Sequence, residues 1–190
     1  MPTTPPPEPW FPFLTALDET VSEVTKLHCF GGFVVTQQYG LSRPTSDLDV
    51  LEIAPVESLR RICDAGKRGS PLSRKHHVFI DIVKVAPTIY DYESRLTPIY
   101  ENVFKHLHLM VLDPYDIALS KISRDNDRDF QDVLFLAKKI PFDLEVFENR
   151  YHTEVKPYLF GNGKPQEHTF NRWKTSILED REMQQISFKT

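Results

Sequence analysis

The sequence predicts an α/β protein: a mixed sheet flanked by helices, followed by a helical C-terminal half. Strand-like and helix-like segments alternate early in the chain and helical segments cluster late, which is typical of a sheet with helices packed on it and a helical annex. The 190 residues are 40% apolar, which is enough to build an ordinary core. We therefore expect a proline-rich lead-in over 1–10, an α/β core over 11–112 and a helical part over 113–190.

Periodicity and turn residues predict the elements of the core in chain order. Residues 2–9 contain five prolines and should be extended, because proline fixes φ and cannot donate a backbone hydrogen bond. Apolar residues then recur at steps of three and four and predict a helix over 11–26: Leu14, Leu17, Val21 and Val24. The next elements are a strand at KLHCFGG, a helix at FVVTQQYG, a strand at SDLDVLEI, a helix over 55–65, a loop at GKRGSPLSRKHH and a strand at VFIDIVKV.

The second half reads mainly as helix. A loop or irregular helix over 90–96 and a weaker strand at HLHLMVL complete the core. Helices are then expected over 114–123, 129–139, 143–155 and 166–178, the last two separated by the breaker FGNGKP.

Composition excludes several classes of protein. A formal charge of −4 argues against a dedicated DNA-coating protein, and no stretch approaches the roughly 18 apolar residues of a membrane span. Cys29 and Cys63 lack paired spacing and should be reduced thiols, and no secretory signal is evident, so we expect a soluble cytoplasmic protein. The sequence also lacks the motifs of serine hydrolases, zincins and P-loop proteins.

Three acidic residues on predicted strands indicate a metal site. Asp47 and Asp49 share one strand face with Leu51 and Ile53, and such like charges need a counter-charge. Mg²⁺ (or Mn²⁺) suits them, because it prefers oxygen ligands and also binds phosphates. Asp81, on a strand that can pair beside the first, would complete a cluster able to hold two metals. The alternative is that Asp47 only caps the strand, Asp49 lies at an edge and Asp81 pairs with a lysine.

Two adjacent glycines precede these acids. Gly31 and Gly32 stand between a predicted strand and a predicted helix, where glycine lets the backbone approach an anion such as phosphate. Glycine at such a turn can also be purely steric.

The run from Gly31 through Gly32, Gly40 and R-P-T-S-D-L-D at 43–49 resembles the nucleotidyltransferase superfamily of the DNA polymerase β type. Within it the chain is most similar to the small DUF6036 and AbiEii-like proteins, which share the R-x-T-x-D-h-D form. The segment VLDPYDIALSKISRDNDRDFQDVLFL resembles the same group's second half.

The resemblance implies a nucleotidyltransferase fold and assigns roles within the core. Gly31 and Gly32 would form the phosphate corner, and Asp47 and Asp49 would be metal ligands. Asp81 would be the third catalytic acid and help to deprotonate the acceptor hydroxyl.

Further roles fall outside the acidic cluster. The resemblance implies that Lys121 reaches the triphosphate and that Asp129 or Asp132 orients this lysine or lines the nucleotide pocket. Arg43 would contact phosphate or acid, or cover the end of the sheet, and Thr45 would contribute a ligand or a turn hydroxyl. Acids early in a helix, as Asp129 and Asp132 are, can also be simple dipole partners.

The expected reaction is transfer of a nucleoside monophosphate from an NTP to a hydroxyl, in a cleft that holds NTP and Mg²⁺. The resemblance favours RNA, such as the 3′ end of tRNA, as acceptor, and an antitoxin protein as partner. A protein side-chain hydroxyl and an antibiotic-like small molecule are the alternative acceptors. Residues 60–77 hold six Lys or Arg against one Asp and would follow an RNA backbone or form a solvated basic loop. The alternative function is a catalytically inactive nucleotide-binding or partner-binding module with the same fold.

Overall fold

The computed structural model of the protein describes residues 4–83, 90–159 and 163–187. By their contacts these residues fall into two units. The first contains 4–83 and 91–113, and the second contains residue 90, 114–159 and 163–187.

The first unit contains one mixed sheet. Among its described residues the strands lie in the order β3-β2-β1-β5-β4; β1 pairs with β2 and β4 with β5 antiparallel, and the other two pairings are parallel. The elements in chain order are α1 (Trp10–Asp18), β1 (Thr25–Phe30), α2 (Gly31–Gln37), β2 (Asp47–Ala54), α3 (Val56–Gly66), α4 (Pro71–His76), β3 (Phe79–Ile82), a 3₁₀ turn (Tyr92–Arg95), β4 (Thr97–Ile99) and β5 (Leu107–Val111). The predicted α/β class is confirmed.

The second unit is helical. Its elements are α5 (Pro114–Ser120), α6 (Asp127–Lys139), α7 (Leu144–Arg150), a π-helical turn (Tyr151–Val155), a 3₁₀ turn (Lys156–Tyr158) and α8 (Lys164–Ser187). Aromatic rings fill its core, where Tyr151 stacks on Phe170 at 4.2 Å between ring centroids and Trp173 is fully buried. Side-chain oxygens begin two of the helices: Asn126 accepts from the Asp129 backbone N–H and Asp143 from that of Glu145.

The two faces of the sheet differ in character. One face carries buried side chains: Leu27, Cys29, Leu48, Val50, Ile53, Ile80 and Leu109. Leu17 of α1 and Ile80 of β3 lie so close to Gly66, at the end of α3, that a Cβ atom there would be 3.2 Å from one and 3.1 Å from the other. Helices thus cover this face, and alternation sends Asp47 and Asp49 to the opposite face.

A β-bulge corrects the predicted face of β2. His28 pairs with Glu52 and Cys29 with Val50, so Leu51 is an extra residue without a partner in the register. Alternation is therefore interrupted, and Ile53 is buried on the helix-covered face and does not share the face of Asp47 and Asp49. The expectation of one continuous face from Asp47 to Ile53 is wrong.

The first helix ends earlier than predicted. The Asp18 carboxylate, in its last turn, accepts hydrogen bonds from the backbone N–H groups of residues 105–107 at 2.6–3.0 Å. Thr25 then begins β1 by donating its backbone N–H to the His106 carbonyl at 2.8 Å. Tertiary pairing therefore overrides the helical spacing that reaches Val21 and Val24.

Two further elements lie where other structure was expected. Helix α4 falls inside the segment predicted as a loop, with Ser70 as its N-cap and Pro71 at its first position. Strand β4 lies in a stretch without a strand prediction, and Pro98 suits it because it is an edge strand of three residues. Helix α8 begins and ends beyond the predicted 166–178. The predicted strand residue Val85 lies outside the described residues.

Both cysteines are free thiols, Cys29 buried and Cys63 half-buried. Across residues 4–83, 90–159 and 163–187, none of the helices combines the length and apolar character needed to cross a membrane.

Candidate active site

The acids predicted on two strands are neighbours on one sheet face. In the parallel pairing of β2 with β3, Asp49 lies opposite Asp81 and Asp47 opposite Phe79. Directly opposed residues project to the same side of a sheet. Asp47 and Asp49 are half-buried and Asp81 is exposed, so these carboxylates line a solvent-accessible surface.

Gly31 adjoins the second of these acids. The antiparallel register pairs Phe30 with Asp49, and the chain then turns into α2 with Gly31 at φ +71°. A Cβ atom on Gly31 would overlap Oδ2 of Asp49 and lie 2.9 Å from its Cγ and 3.2 Å from its Cβ. Glycine is therefore required for two reasons: its backbone is left-handed, and the Asp49 carboxylate occupies the space of a side chain. Gly32 follows as the second residue of the helix.

The other acid of β2 is held from the preceding loop. Thr45 donates its hydroxyl to Oδ1 of Asp47 at 2.7 Å. Thr45 thus orients this carboxylate through its hydroxyl group. This role differs from the two considered from the sequence, which were a ligand and a turn hydroxyl. Arg43, half-buried in the same loop, donates its backbone N–H to the Leu41 carbonyl at 2.8 Å.

The donor chemistry of this face fits Mg²⁺. Carboxylate oxygens from Asp47, Asp49 and Asp81 are its preferred ligands, and Gly31 leaves room for one of them. As they lie, however, no three His, Cys, Asp or Glu side chains of the described residues are grouped closely enough to hold a metal ion. Asp47 accepts a hydrogen bond from Thr45, and Asp49 lies against Gly31.

Cys29, on the helix-covered face behind these acids, is chemically quiet. Burial, with a smaller contribution from the Asp49 charge, raises the pKa of its thiol well above the usual range. The thiolate is the reactive form, so Cys29 is not a nucleophile.

The remaining predicted residues lie in the second unit, in a buried ionic cluster. The Lys121 ammonium contacts Oδ1 of Asp129 at 2.6 Å and Oδ2 of Asp132 at 3.0 Å. Lys121 is 2% exposed, Asp129 4% and Asp132 0%. Arg124 adds two contacts to Asp129, Nε to Oδ2 at 3.0 Å and a terminal nitrogen to Oδ1 at 3.1 Å.

Asp129 and Asp132 both contact the Lys121 ammonium, and Asp129 also lies in the first turn of α6. Within its own unit the Lys121 ammonium is enclosed by carboxylates, and its contact with a triphosphate remains a proposal.

Sequence reasoning missed one contact beside the acids of β2 and β3. The Arg68 guanidinium lies 3.9 Å from the centroid of the Phe79 ring, and Phe79 is the partner of Asp47 in the sheet. No local pattern joins residues 68 and 79, since the contact depends on how the basic segment folds back along β3.

Cavities lined by described residues lie elsewhere. One of about 760 Å³ is lined by residues of α6, α7 and α8, and none of Lys121, Asp129 and Asp132 lines it. One of about 280 Å³ adjoins β4 and β5, and one of about 250 Å³ adjoins α2 and β4. The candidate site lies on a surface of the first unit, because Asp47 and Asp49 are half-buried and Asp81 is exposed.

Comparison with known proteins gives one family. The model of a family described as "Nucleotidyltransferase of unknown function (DUF6036)" matches residues 13–179. No curated protein and no solved structure matches the chain significantly. The family match spans the sheet, the acids of β2 and β3 and the Lys121 cluster. The chain therefore belongs to the DUF6036 family of nucleotidyltransferases, whose function is unknown.

Proposed function

We propose that the protein is an Mg²⁺-dependent nucleotidyltransferase that moves a nucleoside monophosphate from an NTP to a hydroxyl group of RNA. One observation carries the proposal: the Asp49 carboxylate, beside Asp81, fills the place of a side chain on Gly31. Gly31 follows β1, and the acid that fills its side-chain space lies on β2. A turn whose backbone a ligand can approach closely thus lies beside a surface of carboxylates, and this combination suits phosphoryl transfer.

Asp47 and Asp49 would hold Mg²⁺ (or Mn²⁺), with Asp81 beside them. When bound, the cation would supply neutralisation of the charge on the triphosphate. Gly31 leaves the space that the Asp49 carboxylate occupies, and the turn at Gly31 and Gly32 is proposed to receive a phosphate beside that carboxylate. Thr45 holds the Asp47 carboxylate in place.

Asp81 accepts the proton of the acceptor hydroxyl. It suits this role because it is exposed and lies beside Asp49. The hydroxyl oxygen then forms a bond to the α-phosphorus as the bond from that phosphorus to the bridging oxygen breaks, and pyrophosphate leaves. Arg43 is proposed to contact the nucleotide. In the second unit, Asp129 and Asp132 are proposed to orient Lys121 toward a phosphate.

Pyrophosphate release tests this proposal. Each NTP is incubated with the protein, total tRNA as acceptor and Mg²⁺ or Mn²⁺, and pyrophosphate is measured for wild type, Asp47→Asn and Glu52→Gln. Glu52 is the matched control, because it is an acid on the same strand β2 and its partner is His28, not β3. We expect release by wild type and Glu52→Gln and loss in Asp47→Asn; equal release by all three contradicts the assigned role of Asp47.

A labelled NTP incubated with total tRNA then identifies the acceptor. Label in tRNA is the expected result and would support a toxin-like role with an antitoxin partner. Label in protein or in a small molecule would contradict RNA as the acceptor while leaving the transferase chemistry intact.

A second candidate is an inactive nucleotide-binding module. The observation that favours it is the lack, among described residues, of a group of three metal-ligating side chains. NTP binding without pyrophosphate release for any NTP or acceptor would select this alternative.

A further inference from the structure

Arg68 is fixed at the border of the carboxylate face. Its guanidinium stacks over Phe79 at 3.9 Å, and in the sheet Phe79 is flanked by Asp47 and lies two residues before Asp81 on the same face. Adjacent strands lie about 4.8 Å apart, so the ring that Arg68 covers is next to Asp47 in the sheet. An arginine stacked on a ring keeps its in-plane N–H donors available for an anion.

The backbone fixes this position as well. Lys67 forms a parallel bridge with Ile80, so the chain before Arg68 runs along the edge of β3 that is not paired with β2. Ser70, two residues after Arg68, then forms the N-cap of α4. Arg68 is therefore held between a sheet edge and a helix start.

Among the described residues, no carboxylate forms an ion pair with Arg68. Arg60 and Lys67 pair with Asp64, at 3.7 Å and 2.9 Å. The Arg68 guanidinium instead contacts the Phe79 ring. Within the described part of the chain, a protein of formal charge −4 thus presents an exposed arginine without a direct ion pair beside the acids that are proposed to act on phosphate.

We propose that Arg68 binds a backbone phosphate of a single-stranded RNA acceptor and so positions the acceptor hydroxyl at Asp81. The inference rests on the proposed function, because it places the acceptor next to the carboxylates. Arg74 and Lys75, exposed in the last turn of α4, extend the positive surface along the chain from Arg68. Cations beyond the carboxylate face suit a polyanion longer than one nucleotide.

Binding without turnover tests the assignment. A short fluorescein-labelled single-stranded RNA is titrated with protein, without NTP, at several salt concentrations, and its anisotropy is followed. The variants are Arg68→Ala, Arg68→Lys and the control Arg60→Ala, which removes the same charge from the same segment. Arg60 is suitable because its side chain is 93% exposed and is paired with Asp64.

We expect Arg68→Ala to weaken RNA binding about tenfold and to reduce the salt slope by about one contact. Arg68→Lys should lie between wild type and alanine, because lysine keeps the charge but loses the planar stack. Arg60→Ala should stay within about twofold of wild type. Thermal unfolding should be nearly unchanged in all three variants, because an exposed cation–π contact adds little to stability.

Equal weakening by Arg68→Ala and Arg60→Ala would overturn the assignment, because it would indicate a diffuse charge effect. So would wild-type binding in Arg68→Ala, or failure of the wild-type protein to bind RNA. These outcomes can be distinguished from failure of the proposed function. If the protein releases pyrophosphate and Arg68→Ala binds RNA as wild type does, only the acceptor site is refuted. If RNA binding depends on Arg68 but no pyrophosphate is released, only the transferase activity is refuted.

Discussion

Gly31→Ala is the sharpest test of the candidate site. The added methyl group would overlap Oδ2 of Asp49, and it would lie 2.9 Å from Cγ and 3.2 Å from Cβ of that residue. Rotation of the carboxylate relieves the first two contacts but not the third. The variant must therefore turn the Asp49 carboxylate away from Gly31 and push the turn slightly away from β2.

Gly40→Ala is the matched control for this substitution. Gly40 has φ +79°, close to the +71° of Gly31, and no atom lies within 4 Å of the position that a Cβ would take, so alanine there meets only the backbone strain. Left-handed backbone costs an alanine about 1–2 kcal/mol, and each kcal/mol lowers the melting temperature of a protein of this size by about 2–4 °C. Both variants should lose this much, and the difference between them isolates the displaced carboxylate.

The assay is pyrophosphate release from NTP with Mg²⁺ and total tRNA as acceptor, and thermal unfolding of each variant is measured in parallel. Displacement of a catalytic group by about 1 Å can lower the rate about a hundredfold, so we expect such a loss in Gly31→Ala and near wild-type turnover in Gly40→Ala. Equal turnover by the two variants at similar melting temperatures would refute the reasoning, because the contact between Gly31 and Asp49 would then have no catalytic consequence.

Three predictions concern stability, measured by urea unfolding. Lys121→Met should cost about 3–5 kcal/mol, because it leaves Asp132 buried without this cation, whereas Lys138→Met, at a half-exposed pair, should cost under about 1 kcal/mol; equal losses would contradict a buried ionic cluster. Asp18→Asn should cost about 2 kcal/mol, because a neutral amide replaces a carboxylate that accepts three backbone N–H groups, and an unchanged midpoint would contradict this. Burial lowers the pKa of His28 below 6.5, so the stability that the neutral imidazole contributes is fully present above about pH 6.5 and is lost as the pH falls. The difference in unfolding free energy between wild type and His28→Gln should therefore shrink from pH 8 to 5. A constant difference would contradict this prediction.

Local sequence signals predicted elements whose causes are local. The strand at Asp47–Ala54 ends before Pro55, the turn at Gly31 follows a buried strand, and α6 begins at an asparagine cap. The neighbouring positions of Asp49 and Asp81 also followed from alternation, once the two strands were assumed to pair.

The rest depends on contacts that are distant in sequence. Helical spacing continues through Val21 and Val24, yet the Asp18 carboxylate binds backbone groups almost ninety residues away and the chain leaves the helix there. The bulge at Leu51 is equally invisible locally, because it is a property of the pairing with β1. Neither the end of α1 nor the bulge is marked by a residue type from which it could be predicted.

The antiparallel pairing of β1 with β2 explains why the site has the form it does. One side of the bulge places Phe30 opposite Asp49, which brings Gly31 against that carboxylate. The other side buries Ile53 among the helices, while Val50 remains buried on the same face. Without the extra residue, strict alternation would put Ile53 on the same face as Asp47 and Asp49. Either Ile53 would then face solvent or the two acids would face the core. The bulge therefore lets a single strand anchor the core at one end and present two acids to solvent at the other.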